Sequence, residues 1–432
     1  MVSVKLSLFL MAKLNINKLK LRKWRVIMPS IKILDKDTTL ASGNISGEHY
    51  AFIPGLLGTG VSTKLSEIST DATEFTSLAS FRKAIGTGPS LIANNVPDKS
   101  YIMACELLGS GLPIVYKVII PDSAKTGEEG DQVVDYSEVT ESEIIEAMTS
   151  DDFSAVEDRG MFDIAFISYG GYKSVDEASV VKLKNIATNR GDCEYFIDID
   201  STTKVNKTND LPATISGIGD EPDGCVIPLW VEITPTYSNY SEKVMLPGSF
   251  AYLRAFANSI KSNASWLAVA GTRRGSVICD NVSNIITNKE ADELQPDGAG
   301  KSVNAITYIR PYGYTIWGNK TLADNSAGLK ASSFLNIRIL VHDIKRQLYK
   351  VARANMFEPN DTVLWVNFKS QITPLLDQMM TGQGISSYRI IRQTSTDRAQ
   401  LRALIRITPI EAVENFELTV EVTDSGTTVE EE

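Results

Sequence analysis

Histidine and cysteine are scarce in this chain: it has two of the first and four of the second. The cysteines (Cys105, Cys193, Cys225, Cys279) lie far apart, with no C-x-x-C. A structural zinc needs thiolates and imidazoles clustered at short spacing, so the pattern argues against a metal and suits buried free thiols in a reducing compartment. No apolar run reaches the roughly 18 residues of a membrane span. G-x-G-x-x-G and G-x-S-x-G are both missing, which removes the usual grounds for dinucleotide binding and for a serine hydrolase. A basic excess is also lacking. With 43 Lys+Arg against 53 Asp+Glu the net charge is −10, whereas a general nucleic-acid binder needs a basic face to displace counterions.

What is present is ordinary globular material. At 432 residues, 43% hydrophobic and 22% charged, the chain is long enough for two to three domains of roughly 150 residues, each with its own core. Charge is spread unevenly. Residues 1–27 hold seven basic side chains and no acid, while residues 122–158 hold thirteen acids against one base, Lys125. The acidic stretch reads as an exposed surface. The basic stretch is too short in its apolar centre for a signal peptide. It is either part of the working protein or a leader ahead of a start at Met28.

Residues 45–60 read as a strand and a glycine-rich turn, residues 75–85 as a helix, and residues 112–120 as a second strand. The continuous apolar run at 161–169 is expected of a strand covered on both faces. Ser174-Val175-Asp176-Glu177 reads as a capping box opening a helix toward Asn189, and residues 193–199 as the parallel partner strand. Residues 249–262 are a helix. Along residues 333–356, Phe334, Ile337, Val341, Ile344, Leu348 and Val351 form one apolar stripe at spacings of three and four. Arg338, Lys345, Arg346, Lys350 and Arg353 lie off that stripe with a single acid, Asp343, and His342 beside them reads as a surface residue. A second helix is expected over 361–381, kinked or restarted by Pro374 and stopped by Gly382. Strands follow at 388–394, 401–407 and 416–422, the last alternating Phe416, Leu418, Val420 and Val422 with Glu417, Thr419 and Glu421.

Chemistry is thin. Gly170-Gly171 sits where a phosphate loop would be but lacks its motif. Gly300-Lys301-Ser302 looks like the end of a P-loop, yet Gln295 stands where the leading glycine must be. Asp198 and Asp200 flank a strand end and read as solvated loop acids, since no third carboxylate or histidine is near in sequence. Neither His49 nor His342 has a triad context.

Three strings point elsewhere: Tyr314-Thr315-Ile316-Trp317-Gly318-Asn319-Lys320-Thr321-Leu322, then Phe357-Glu358-Pro359-Asn360, then Ile407-Thr408-Pro409-Ile410, with Leu364-Trp365 between the last two. In this order and spacing they resemble the C-terminal half of contractile tail sheath proteins of bacteriophages and phage-like injection machines. Trp266 to Gly275 is similar to a further family string, with Val269 where the family has proline.

The resemblance implies an α/β (mixed α+β) subunit without catalysis or cofactor. Its parts would be an N-terminal arm (28–44), a middle domain (45–120 plus 245–325), a peripheral inserted domain (121–244) holding the β-α-β unit, a C-terminal inner domain (326–423) and a disordered tail (424–432). It implies a virion component assembled in the host cytoplasm, with no nucleic acid and no membrane insertion. Copies would form a helical polymer of six-fold rings around the tail tube protein, with baseplate and tail terminator proteins as further partners. Ile31, Ile33, Leu34, Phe416, Leu418, Val420 and Val422 would be arm strands pairing with neighbouring subunits. Arg338, Lys345, Arg346, Lys350 and Arg353 form either a solvated face or a surface that meets the tube. The rival reading is an α/β enzyme handling a nucleotide or sugar on the β-α-β unit.

Overall fold

Residues 50–55 are apolar throughout and buried throughout, which suits them to the interior of a parallel sheet. In the computed structural model, which describes residues 49–128, 130–296, 301–395 and 399–412, this strand is β1 (Tyr50–Gly55). It lies centrally in a six-stranded sheet with β2 (Thr73–Phe75), β3 (Ile114–Val118), β4 (Ile164–Ile167), β5 (Glu194–Ile197) and β6 (Gly224–Val226), in the order β6-β5-β4-β1-β3-β2. All pairings are parallel except β2 with β3. Helix α1 (Leu78–Ile85) packs beside α2 (Lys99–Ser110), the crossover from β1 to β3. Helix α3 (Glu141–Ser150) precedes β4, and α4 (Glu177–Arg190) joins β4 to β5.

The sheet does not divide where the sequence suggests. Strands β4, β5 and β6 come from the segment expected to be a peripheral insertion, yet β4 pairs directly with β1. That segment therefore builds half of the central sheet. The N-cap also sits two residues later than expected, and its N3 residue is Ser179, with no capping box. Asp176 is the N-cap, accepting from the Ser179 backbone N–H at 3.0 Å. Ser174 is buried and instead ties its loop to the end of β5, its hydroxyl accepting from Asp198 N–H at 2.9 Å.

A second layer follows. Strands β7 (Trp230–Ile233), β8 (Val244–Pro247) and β9 (Asn281–Val282) form an antiparallel sheet in the order β8-β7-β9. Helix α5 (Gly248–Ile260) runs straight on from β8 and sets Phe256 edge-on against Phe166 of β4, with ring centroids 4.7 Å apart. A hairpin of β10 (Ala305–Ile309) and β11 (Gly313–Trp317) leads to the C-terminal part. There α6 (Leu335–Ala354) and α7 (Thr362–Thr381) pack on a hairpin of β12 (Ile385–Gln393) and β13 (Arg402–Pro409). One helix runs through Pro374, opened by Asp361 accepting from Leu364 N–H at 2.8 Å. Leu340, Ile344, Phe368, Ile372, Leu376 and Met379 form a second core, separate from the main one.

Asp198, expected to be solvated, is 1% exposed. It accepts from the Ser249 backbone N–H at 3.2 Å and hydroxyl at 2.7 Å, at the start of α5. Asp200 is the solvated one, held down to about 2 by the Thr202 backbone N–H and by Lys173. Burial pushes the Asp198 carboxyl up to about 7, whereas an unfolded aspartate ionises near ~3.9. Between those values the folded chain holds the extra proton. On this group's account stability is full below about pH 4, falls as pH rises toward 7, and is flat above. Asp198→Asn should remove that slope. Thermal melts at stepped pH should show the wild type losing ground to the variant between pH 5 and 7.5, and parallel curves would refute the assignment.

Candidate functional site

A ligand of a doubly wound sheet sits where the strand order reverses, beyond the carboxyl ends of the strands. Here the reversal lies between β1 and β4, and the chain fills it. Gly170 (φ 62) passes so close to β1 that a Cβ would lie 2.0 Å from the Pro54 carbonyl oxygen. The N-terminus of α2, an inviting seat for an anion, is occupied by Asp98, which accepts from the Ser100 and Tyr101 backbone N–H groups at 3.0 and 3.1 Å. Tyr172 donates to the same carboxylate at 2.7 Å, and Tyr116 donates to the Leu56 carbonyl at 2.7 Å. Burial raises the Asp98 carboxyl and both phenols. This is a plugged crevice. The glycine pair that sequence placed at a phosphate loop serves close backbone approach. Lys301 likewise donates to the Gly219 and Leu322 carbonyls.

The basic face of α6 is the larger surprise. Arg338, Lys345 and Arg346 are 3 to 5% exposed, and His342 is 1% exposed. The expectation of a solvent-facing flank fails for these four, because α6 is clamped between both cores: Leu335 and Ile339 face the main one, Leu340 and Ile344 the other. Its polar residues meet built partners. Lys345 Nζ donates to the Gly191 carbonyl at 2.7 Å and Arg346 to the Asp192 carbonyl at 2.6 Å, just past the C-terminus of α4, where the helix dipole favours cations. Arg346 also pairs with Asp343, which His49 reaches at 2.9 Å and the Ser265 hydroxyl at 2.6 Å. Burial would raise the Asp343 carboxyl, but His49 and Arg346 outweigh it and hold it below the ordinary value.

Beside this cluster stands a second. His342 faces Glu194 at 3.2 Å through Nδ1 and Asp223 at 3.1 Å through Nε2, and Arg338 pairs with Asp223, its Nε lying 3.0 Å away. Burial raises Glu194. Asp223 is held well below the carboxylate range because His342 and Arg338 overcome its burial. Glu194, Asp223 and His342 are types that could ligate a metal. However, the Arg338 guanidinium lies 3.3 Å from His342 Nε2, so the chain supplies its own cation there. Only Lys350 and Arg353 of the five basic residues reach solvent; Lys350 pairs with Asp163 at 2.6 Å and Arg353 donates to the Gly160 carbonyl at 3.3 Å.

The string at 314–322 proves to be a clasp on α6. Asn319 accepts from Asn336 N–H at 3.1 Å, its carbonyl accepts from Leu335 N–H at 2.9 Å, and Thr321 donates to the Ser332 carbonyl at 2.8 Å. Asn336 in turn donates to the Trp266 carbonyl at 3.1 Å. Phe357 is different. It has φ 69 and is 87% exposed, and Val363 and Val366 of α7 are also exposed.

At the C-terminal end, β12 and β13 are nine and eight residues long, and among the described residues neither pairs with a third strand. Tyr388, Ile390, Leu401, Ala403, Ile405 and Ile407 point into the second core, and Arg389, Arg402 and Arg406 point out. Sequence reading passed over these arginines, whose spacing within the strand pattern was the available signal. The arm positions Ile31, Ile33, Leu34, Phe416, Leu418, Val420 and Val422 lie outside the described residues.

No family model matches the chain. It is 24% identical over 274 residues to the tail sheath protein of Vibrio phage KVP40 and 23% identical over 202 residues to that of Enterobacteria phage T4. These matches cover 56% and 45% of this chain but only 39% and 29% of those relatives' own length. Among solved structures, a chain of the anti-feeding prophage baseplate is similar at TM-score 0.60 with 13% identity, covering 92% of this chain and 99% of that one. The anti-feeding prophage helical sheath in its contracted state is similar at TM-score 0.57 with 16% identity, covering 91% and 98%. The chain thus shares the mixed α/β fold of those structures over nearly its whole length and resembles contractile tail sheath proteins in sequence.

The buried and exposed basic residues of α6 should respond differently to charge reversal. Removing one partner of a buried ion pair costs roughly 3–5 kcal/mol, so Arg338→Glu or Arg346→Glu should lower the melting temperature sharply or abolish soluble expression. Lys350→Glu with Arg353→Glu should change stability by about 1 kcal/mol at most. Circular dichroism melts compare the two sets. Equal tolerance of both would contradict the buried arrangement.

Proposed function

We propose that this chain is a structural subunit of a contractile tail sheath, which polymerises as a helical tube around a tail tube and shortens to drive that tube through a bacterial envelope. The observation that carries this reading is the fold likeness over nearly the full length of both chains, extending to a helical sheath in the contracted state. The sequence likeness to two tail sheath proteins supports it. The plugged switch point gives no opening for the enzyme reading. A heterologous contact whose rotation does not close generates a helical filament, and two alternative packings of such a lattice can store work without a nucleotide.

Partners follow from the same reading: further copies of the chain, a baseplate, a tail tube and a terminator, in a virion or phage-like particle assembled in the host cytoplasm. The tube-facing role narrows to Lys350 and Arg353, since Arg338, Lys345 and Arg346 are consumed inside the subunit. The two terminal segments serve as arms, Ile31 to Leu34 at one end and Phe416 to Val422 at the other. They add strands to the C-terminal hairpin of neighbours, where main-chain hydrogen bonds give affinity and alternate side chains give specificity.

Deleting residues 1–36, or ending the chain at Asn415, is expected to leave a soluble, folded monomer that forms no tubes under the electron microscope, while the full chain does. Ordered tubes from either truncation would overturn the arm assignment. Discrete full-length particles under all assembly conditions would overturn the sheath reading itself.

A further inference from the structure

The outer face of the C-terminal hairpin carries an electrostatic fault. In the β12–β13 register Arg389 stands directly opposite Arg406, and like charges facing across strands are destabilising. Arg402 lies four residues from Arg406 on the same face of β13. No ion pair among the described residues involves any of the three. Among the described residues Arg402 donates to the Gln400 side chain, at 2.8 Å. Alongside them the backbone edge of β13 carries no further strand among the described residues. An edge eight residues long, whose register with β12 shifts only at the end where Ile385 meets Pro409, invites another strand.

The chain contains a segment that answers both needs. Residues 413–432 hold seven acids (Glu414, Glu417, Glu421, Asp424, Glu430, Glu431, Glu432) and no base. Within them, Glu417 and Glu421 are four apart, the separation of Arg402 and Arg406. We infer that the segment 416–422 of one copy adds to the β13 edge of another, its register set by Glu417 and Glu421 pairing with Arg406 and Arg402. This rests on the arm reading above and names the side chains that would specify it.

With Glu417 opposite Arg406 in the antiparallel sense, Glu421 meets Arg402. Every apolar arm residue then falls beside an apolar partner on the inner face: Phe416 with Ile407, Leu418 with Ile405, Val420 with Ala403, Val422 with Leu401. A slip of one residue would turn the glutamates onto the second core and the valines into water. The β12 edge offers a poorer match, since its outward positions there are Arg389, Ile391 and Gln393. Pairing within one copy would turn through residues 408–415, which hold Pro409 and Asn415; the choice of a second copy follows from the arm reading.

The test uses the full chain. Arg402→Glu with Arg406→Glu, and separately Glu417→Arg with Glu421→Arg, should leave the monomer melting curve unchanged and raise the critical concentration for tube assembly by roughly tenfold, about 1.4 kcal/mol per subunit. The fourfold variant, with all charges exchanged, should restore assembly. Mixing Arg406→Cys copies with Glu417→Cys copies should give an intermolecular disulfide on mild oxidation. If either one-sided reversal assembles normally while the chain ending at Asn415 does not, or if the exchanged variant stays defective, the charge register is wrong and the arm reading survives. If the chain ending at Asn415 assembles, both fall. A 406–417 disulfide formed within single copies would overturn the intermolecular pairing.

Discussion

Helix α6 carries Arg338, His342, Asp343, Lys345 and Arg346 into the interior, and the relation between the central sheet and the C-terminal part depends on the partners they meet there. Taking these charges out of water is costly, and their mutual attraction only roughly offsets the loss. What the arrangement provides is position. An apolar helix between two apolar cores could move by a turn at modest cost. This one cannot, because a shift would strand His342 away from Glu194 and Asp223 and separate Arg346 from Asp343 and the end of α4. Both histidines of the chain are spent on this joint, His49 reaching it from the residue before β1.

The same joint explains what the Tyr314-to-Leu322 string is for. Its asparagine and threonine hold the first turn of α6 and the loop before it through backbone groups, so the hairpin β10–β11 fixes where the helix starts while the ion pairs fix its rotation. Gly318, at φ 147, lets that segment pass against Asn304. Asn304 then accepts from Lys320 N–H at 2.7 Å and donates to its carbonyl at 2.8 Å. A string that looks like a site in sequence is a fastening between two cores.

Much of the fold was legible from local pattern. Apolar runs marked β1, β3 and β4 as strands, β4 as one covered on both faces, and the apolar stripe located α6 within two residues at each end. What stayed hidden has a common cause. An amphipathic pattern shows which face is apolar, and the other face is read as wet by default. For Arg338, Lys345 and Arg346 that default failed, because their partners, Asp223, Gly191 and Asp192, lie over a hundred residues away. Asp198 was misread for the same reason, its partner being Ser249. The opposed pair Arg389 and Arg406 required the strand register, which no periodicity supplies. The boundary drawn between the middle and peripheral segments does not follow the sheet, because strand order in a parallel sheet is set by crossovers, and composition shifts along the chain do not report them.

The unequal treatment of sheet edges bears on how such a subunit can be linked to others and still turn. The central sheet ends in β2 and β6, each three residues long, a length that offers little to a passing strand. Among the described residues the long unpaired edge belongs instead to the hairpin on the second core, carried by α6 and α7. On the sheath reading, this separation lets a strand contributed from outside hold the hairpin through main-chain hydrogen bonds, which persist while the bodies rotate about the connecting chain. The charged joint at α6 must then stay shut through the same rotation, since opening it would expose unpaired ions on both sides. On that reading, rearrangement would fall on surfaces between subunits, and Phe357, Val363 and Val366 are exposed apolar residues free to change partners without loss of the fold.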